Sequence, residues 1–139
     1  MQPKMNVAEV QAFLQDEFPQ VSADYVVEMV GEMSARLRMS PSERHLRPGG
    51  TISGPTMFSL ADCAMYLCLI AMVGPEALAV TTGAHIDFMR KPEAGCDLIA
   101  DVELLKLGRA LVVGEVRIWS EGHDDLVARA SLTYSRPRR

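Results

Sequence analysis

Residues 53–75 read SGPTMFSLADCAMYLCLIAMVGP, and a single charged side chain, Asp62, interrupts an otherwise apolar run. Ser53 can cap a helix, Pro55 is tolerated at the head of one, and Gly74-Pro75 stops it, so the stretch predicts one long helix. A helix that is apolar nearly all the way round must be covered on most sides. Asp62 falls about two turns in. A carboxylate withdrawn from water needs a partner or a task that offsets the cost, which makes Asp62 a candidate functional residue.

Upstream, residues 6–18 (NVAEVQAFLQDEF) place Val7, Val10, Phe13 and Leu14 at helical spacing, and Pro19 ends the pattern. Between Tyr25 and Met39 the period changes. Ala35, Leu37 and Met39 alternate with Ser34, Arg36 and Arg38, which predicts two strand segments turned at Gly31-Glu32. Residues 40–51, SPSERHLRPGGT, form the loop leading to Ser53.

Four strand-like segments follow the helix. Strict alternation puts Leu78, Val80, Thr82, Ala84, Ile86 and Phe88 on one face of the first, with Thr81, Gly83, His85 and Asp87 on the other. Leu98, Ala100, Val102 and Leu104 oppose Asp101 and Glu103; Val112, Val116 and Ile118 oppose Glu115 and Arg117. In the last segment Leu126, Ala128, Ala130, Leu132 and Tyr134 oppose Arg129, Ser131 and Thr133. Turn residues at 93–95, 107–109 and 121–124 separate the segments, and no helix intervenes, so antiparallel hairpins are expected. The fold class is α+β: one curved antiparallel sheet wrapped around one long central helix, with residues 1–139 as a single domain. Such a domain leaves a sheet edge and apolar surface uncovered, which predicts a dimer.

The formal net charge of -4 argues against a nucleic-acid surface, and the basic RPRR ending reads as a solvated tail. The opening MQPKMNVAEV lacks the basic, apolar and small-residue regions of a secretory signal, so a cytoplasmic location is expected. The apolar run carries Asp62 and many small residues, and so reads as a core helix instead of a membrane span. Of the 3 cysteines, Cys63 and Cys68 are poorly placed to share a helix face and read as reduced packing residues. His45, His85 and His123 form no metal-ligand pair, and His85 reads as a surface or interface residue. No G-x-S-x-G elbow is present.

Three stretches, RPGGTISGPTMFSLADCAMY (47–66), TTGAHIDFMRKPEAG (81–95) and LLKLGRALVVGEVRIWSEGHDDLVARASLTY (104–134), resemble the PaaI-like branch of the hotdog-fold acyl-CoA thioesterases. The resemblance implies hydrolysis of an aryl- or fatty acyl-CoA, with Asp62 as nucleophile or general base and the Gly54 amide polarising the thioester carbonyl. The physics agrees: amides at a helix N-terminus are unpaired and favour developing negative charge, and one oxyanion donor is worth about 10² to 10³ in rate. By the same resemblance Gly50 belongs to a glycine-rich loop, Thr81, or its neighbour Thr82 one residue on, holds the attacking water, and Arg90, Lys91 and Arg109 meet the phosphates or pantetheine arm of CoA. Those three are equally readable as solvated charges. The chain departs from the family at Ser53, where many members resemble His, and at Arg47, where some carry Asn. Serine can position a group but cannot shuttle protons near neutral pH.

The implied assembly is a homodimer, paired further into a homotetramer, and the reaction needs neither metal nor organic cofactor. A non-catalytic acyl-CoA or acyl-carrier binding protein on the same fold stays open as the alternative. A hydratase is weaker, because no His accompanies Asp62. The acyl group depends on how side chains such as Met57, Phe58 and Tyr66 pack.

Overall fold

The computed structural model describes residues 2–76 and 78–137. Helix α1 (Val7–Glu17) begins with a reciprocal cap in which Asn6 accepts from the Glu9 amide and Glu9 accepts from the Asn6 amide. Strands β1 (Tyr25–Gly31) and β2 (Ser34–Met39) form the first hairpin, with Met33 at φ 56 in its turn. Helix α2 spans Gly54–Val73, and β3 (Val80–Phe88), β4 (Leu98–Leu107), β5 (Leu111–Ser120) and β6 (Leu126–Ser135) follow. All pairings are antiparallel, in the order β1-β2-β4-β5-β6-β3.

The inner face of the sheet packs on α2. Leu37, Leu98, Ala100, Val102, Val116, Ile118, Ala128 and Leu132 are buried against Leu60, Ala64, Met65, Leu67 and Cys68 of the helix. Gly114 leaves room for the helix: a Cβ there would lie 2.5 Å from Met65 Sδ. α2 is long and apolar enough to cross a membrane by length and composition, yet 67% of its most apolar stretch is buried in the protein. The outer face carries charge in register. Arg36 sits opposite Asp101 and bonds it at 2.6 Å and 3.0 Å, while Arg129 sits opposite Asp87 and bonds it at 3.1 Å.

Two expectations change. β3 does not alternate strictly, because its register against β6 slips between Thr81 and Gly83: Thr81 faces Tyr134, Gly83 faces Thr133, and Thr82 is the extra residue. Thr81 therefore points inward, in phase with Ala84 and Ile86, and not outward with His85 and Asp87. The RPRR ending is also not a solvated tail throughout. Arg136 is partly buried and grips Glu76 through its Nε and Nη2 atoms, at 2.7 Å to 3.2 Å. Arg138 and Arg139 lie outside the described residues.

β3 is a terminal strand of the sheet, and it is exposed along almost its whole length. Leu78, Val80, Phe88 and Met89 are large apolar side chains left in the open along it.

Candidate active site

α2 is buried on most sides, and Ser59, Asp62 and Cys63, which are less covered, share one face with the buried Tyr66 at helical spacing. That face forms one wall of a cavity of about 530 Å³. Tyr25 of β1, Ala79, Val80, Thr81 and Tyr134 line it too, and Phe18 and Val21 close it from the segment between α1 and β1. Tyr66 joins the aromatic part of this wall, edge-on to Phe18 and stacked on Tyr134 at centroid distances of 5.5 Å and 6.2 Å. Met57 and Phe58, by contrast, are absent from the lining.

Asp62 is the carboxylate of the cavity wall. Its Oδ1 accepts two hydrogen bonds, from Thr81 Oγ1 and from the Tyr134 hydroxyl, each 2.7 Å long. Tyr134 also lies 3.0 Å from the Asp62 carbonyl. Burial, followed by the charge of Asp62, pushes the Cys63 thiol up to about 12, which leaves it protonated and poorly nucleophilic near neutrality. Burial likewise pushes Tyr66 up to about 12 and the Tyr25 and Tyr134 phenols well above the usual tyrosine range. Tyr134 consequently stays a donor to Asp62.

The other predicted group gathers at the helix head. Ser53 is the N-cap: its Oγ accepts from the Thr56 amide at 3.2 Å and lies 2.8 Å from Thr56 Oγ1. The His45 carbonyl accepts from Ser53 N at 2.9 Å and from Thr56 Oγ1 at 3.3 Å, tying the preceding loop to the helix. Gly54 opens α2, so its amide has no intrahelical acceptor. The ring of Phe88 packs over it, 3.4 Å from where a Cβ would stand.

Gly54 and Asp62 are eight residues apart on one helix, about 12 Å at the helical rise. One chain therefore does not bring its own Gly54 amide and Asp62 to the same carbonyl. Arg47 begins the tight turn of a small hairpin closed by the Leu46–Ile52 bridge, with Gly49 and Gly50 both left-handed at φ 101 and 81. Gly50 lines a second groove with Leu46, Pro92 and Gly95, away from the Asp62 cavity. Arg90 bonds the Leu126 carbonyl at 2.9 Å and reaches Asp125 at 3.6 Å. Lys91 and Arg109 are exposed, the latter at the β4–β5 turn. The structure thus joins Thr81 to Asp62 and Ser53 to Gly54, and places the basic residues elsewhere on the surface.

Sequence reading passed over Tyr134, Tyr25, Phe18, Val21 and Ser59 as site residues. Only Tyr134 had a signal, its inward place in the alternation of β6.

The Thioesterase superfamily profile matches residues 49–127. A protein from Silicibacter sp. TM1040, solved as a candidate thioesterase, shares 46% identity over 99% of this chain and 96% of its own, with a TM-score of 0.93. A point mutant of the phenylacetic acid degradation protein PaaI from Thermus thermophilus is 28% identical over 86% of this chain and 99% of its own, at TM-score 0.74. The protein smu.793 from Streptococcus mutans UA159, solved bound to acetyl-CoA, superposes at TM-score 0.73 and 20% identity, covering 83% of this chain and 90% of its own. Among curated proteins, none matches the chain. With six antiparallel strands around one long helix and a family match spanning the loop before α2 through the start of β6, the chain belongs to the Thioesterase superfamily, as a PaaI-like hotdog protein.

Proposed function

We propose that the protein hydrolyses an acyl-CoA thioester, with Asp62 at the reacting carbon. The observation that carries this reading is a fixed carboxylate on the wall of a largely apolar cavity large enough for an acyl group. Asp62 takes a proton from water while the water oxygen bonds the thioester carbon. The C–S bond then breaks, the CoA thiolate recovers the proton from Asp62, and a carboxylic acid and free CoA leave. If Asp62 instead bonds the carbon itself, a mixed anhydride is hydrolysed in a second step and the products are the same. The aromatic lining, with a neighbour solved bound to acetyl-CoA, supports an acyl-CoA substrate, and an aryl- or fatty acyl group is the proposed acyl part.

The separation along α2 makes a second copy part of this reading. β3 runs from Thr81, beside Asp62, to Phe88, over Gly54, and its free edge exposes Val80 and Phe88 at its two ends. Antiparallel pairing of two β3 edges about a two-fold axis sets the Thr81 end of one chain against the Phe88 end of the other. Gly54 of a second copy, with its Ser53 cap, then supplies the oxyanion donor to this chain's Asp62. A homodimer is thus the smallest active unit, with a homotetramer as a pair of such dimers. On this reading Arg47, Gly50, Arg90, Lys91 and Arg109 are the candidates to meet the CoA portion.

The test is release of free CoA thiol from benzoyl-, phenylacetyl-, short-chain and long-chain acyl-CoA by wild type, Asp62→Asn and Asp62→Ala. Turnover lost only in the variants supports the reading, and the preferred chain names the acyl group. One observation favours the rival: the Ser53 hydroxyl is engaged by Thr56 in the place where many relatives resemble His. Absence of turnover with equal CoA binding by all three proteins would establish a non-catalytic acyl-CoA or acyl-carrier binding protein.

A further inference from the structure

Two donors converge on one oxygen of Asp62. Thr81 Oγ1, from β3, and the Tyr134 hydroxyl, from β6, each lie 2.7 Å from Oδ1. Oδ2 has no hydrogen bond among the described residues. No buried side-chain oxygen or nitrogen of those residues goes unpartnered, so Oδ2 must reach accessible space, and the space beside Asp62 is the cavity. The two anchors differ in rigidity. Thr81 sits on an exposed edge strand, whereas Tyr134 is 3% exposed and packs against Tyr66 at 6.2 Å.

We propose that Tyr134 is the positioning residue for Asp62: together with Thr81 it fixes the carboxylate through Oδ1 and so assigns the chemistry to Oδ2. This rests on the hydrolytic reading above. A carboxylate free to rotate offers either oxygen in many directions. One pinned through Oδ1 offers Oδ2 along one line, and alignment of this kind is where much of the gain from intramolecular reaction arises. Tyr134 has a single proton for two acceptors, Oδ1 at 2.7 Å and the Asp62 carbonyl at 3.0 Å, and the shorter, charge-assisted bond to Oδ1 is the stronger. The contact to the carbonyl keeps the phenol against the helix turn from which Asp62 projects.

The surroundings make the effect measurable. Among the described residues, the other titratable groups facing Asp62 are Cys63 and Tyr66 on α2, Tyr25 on β1 and Tyr134 on β6, and no Lys, Arg or His of theirs lines the cavity. All four thiol and phenol groups ionise at about 12 or above. Within this chain, then, Asp62 is the one carboxylate among the described residues that line the cavity.

The experiment measures kcat, KM and the pH profile of kcat/KM for wild type and Tyr134→Phe, alongside a ¹³C NMR titration of the aspartate carboxyl assigned through Asp62→Asn. A hydrogen bond to the ionised form favours ionisation, so its loss in Tyr134→Phe moves the acid limb and the NMR titration upward together relative to wild type. kcat falls by about tenfold or more while KM stays within about twofold, because phenylalanine keeps the ring that Tyr134 contributes to the cavity wall and removes only the hydroxyl. Should Tyr134→Phe fail to fold, 3,5-difluorotyrosine at position 134 keeps the shape, strengthens the donor and shifts both readouts the opposite way. A folded Tyr134→Phe protein whose NMR titration and acid limb stay in place overturns the proposal. Wild type without turnover on any acyl-CoA, but with the Asp62 titration shifted in Tyr134→Phe, overturns the hydrolytic reading and keeps the positioning.

Discussion

Arg136 closes on Glu76 across 60 residues of sequence, with Nη2 2.7 Å from Oε1, Nε within 3.2 Å of both carboxylate oxygens, and Nη1 donating to the Gly108 carbonyl at 3.0 Å. The Glu76 side chain is only 3% exposed and that of Arg136 20%. The pair fastens the end of β6 to the segment leaving α2 and to the β4–β5 turn. Its geometry, led by the hydrogen bonds to Glu76, holds the guanidinium above its ordinary range.

Removing one partner of a largely buried, hydrogen-bonded ion pair costs more than the pair itself contributes. Arg136→Met is expected to lose about 3–5 kcal/mol of stability in urea unfolding, and adding Glu76→Gln should restore part of it. A single variant within about 0.5 kcal/mol of wild type would show that the pair is solvated in solution.

Thr81 and Thr82 are adjacent hydroxyls with different partners. Thr81 Oγ1 donates to Asp62 Oδ1 at 2.7 Å, while Thr82 Oγ1 reaches only the Thr133 carbonyl at 3.4 Å. A hydrogen bond to a charged group is worth about 1.5–3 kcal/mol, so Thr81→Val should lower kcat by about ten- to a hundredfold. Thr82→Val should stay near wild type. Steady-state kinetics on the preferred acyl-CoA decides, and equal losses in the two variants would show that the slip in β3 does not select between them.

At Gly54 fold and chemistry part company. An alanine methyl would stand 3.4 Å from the Phe88 ring, ordinary contact, so Gly54→Ala should fold with stability held or raised by up to about 1 kcal/mol. The methyl nevertheless crowds the approach to the amide. Turnover should fall by about 10² or more, the scale of losing one oxyanion donor. Thermal melting and CoA release on the same sample separate the two effects, and an active Gly54→Ala protein removes the helix head from the mechanism.

Tyr25, Tyr66 and Tyr134 all titrate above their ordinary value of 10.0 in the folded state, chiefly because burial disfavours phenolate. Below pH 10 folded and unfolded chains hold the same tyrosine protons. Above it the unfolded chain holds fewer, so stability falls as pH rises, by up to about 1.4 kcal/mol per unit for each tyrosine held protonated. Urea melts from pH 8 to 11 should show this decline, and Tyr66→Phe should make it shallower. A flat profile through pH 11 would place these phenols in contact with water.

The elements were legible because each carries a strong periodic signal. Ser53, Asp62 and Gly74 mark the helix, its one charge and its stop, and the alternation in β4, β5 and β6 has one face against α2 and the other in solvent. The candidate site was legible only in part. Asp62 stands out by its solitude, but Tyr134 looks like any core residue of a strand, since alternation reports the face and not which helix atom lies opposite. Phe18 and Val21 belong to a short connection whose path over the cavity depends on tertiary packing. The inward turn of Thr81 hangs on one surplus residue, and a register slip leaves no mark in a pattern of two neighbouring threonines. Arg136 was misread for a similar reason: charge run and chain end suggest solvent, while its partner lies far away in sequence.

The surplus residue at Thr82 has a consequence for solubility. An uncovered terminal strand with Val80 and Phe88 exposed is a template on which extended segments of neighbouring chains can add, the first step toward fibrillar aggregates. A bulge interrupts the regular spacing of amides and carbonyls at the Thr81 end and twists the strand there, which makes it a poorer seed for open-ended addition while Gly83 to Phe88 stay in regular register for pairing with one second copy. The kink that turns Thr81 toward Asp62 thus also guards the newly made chain against its neighbours. A strand shortened by deleting Thr82 would misdirect the threonine and straighten the edge together.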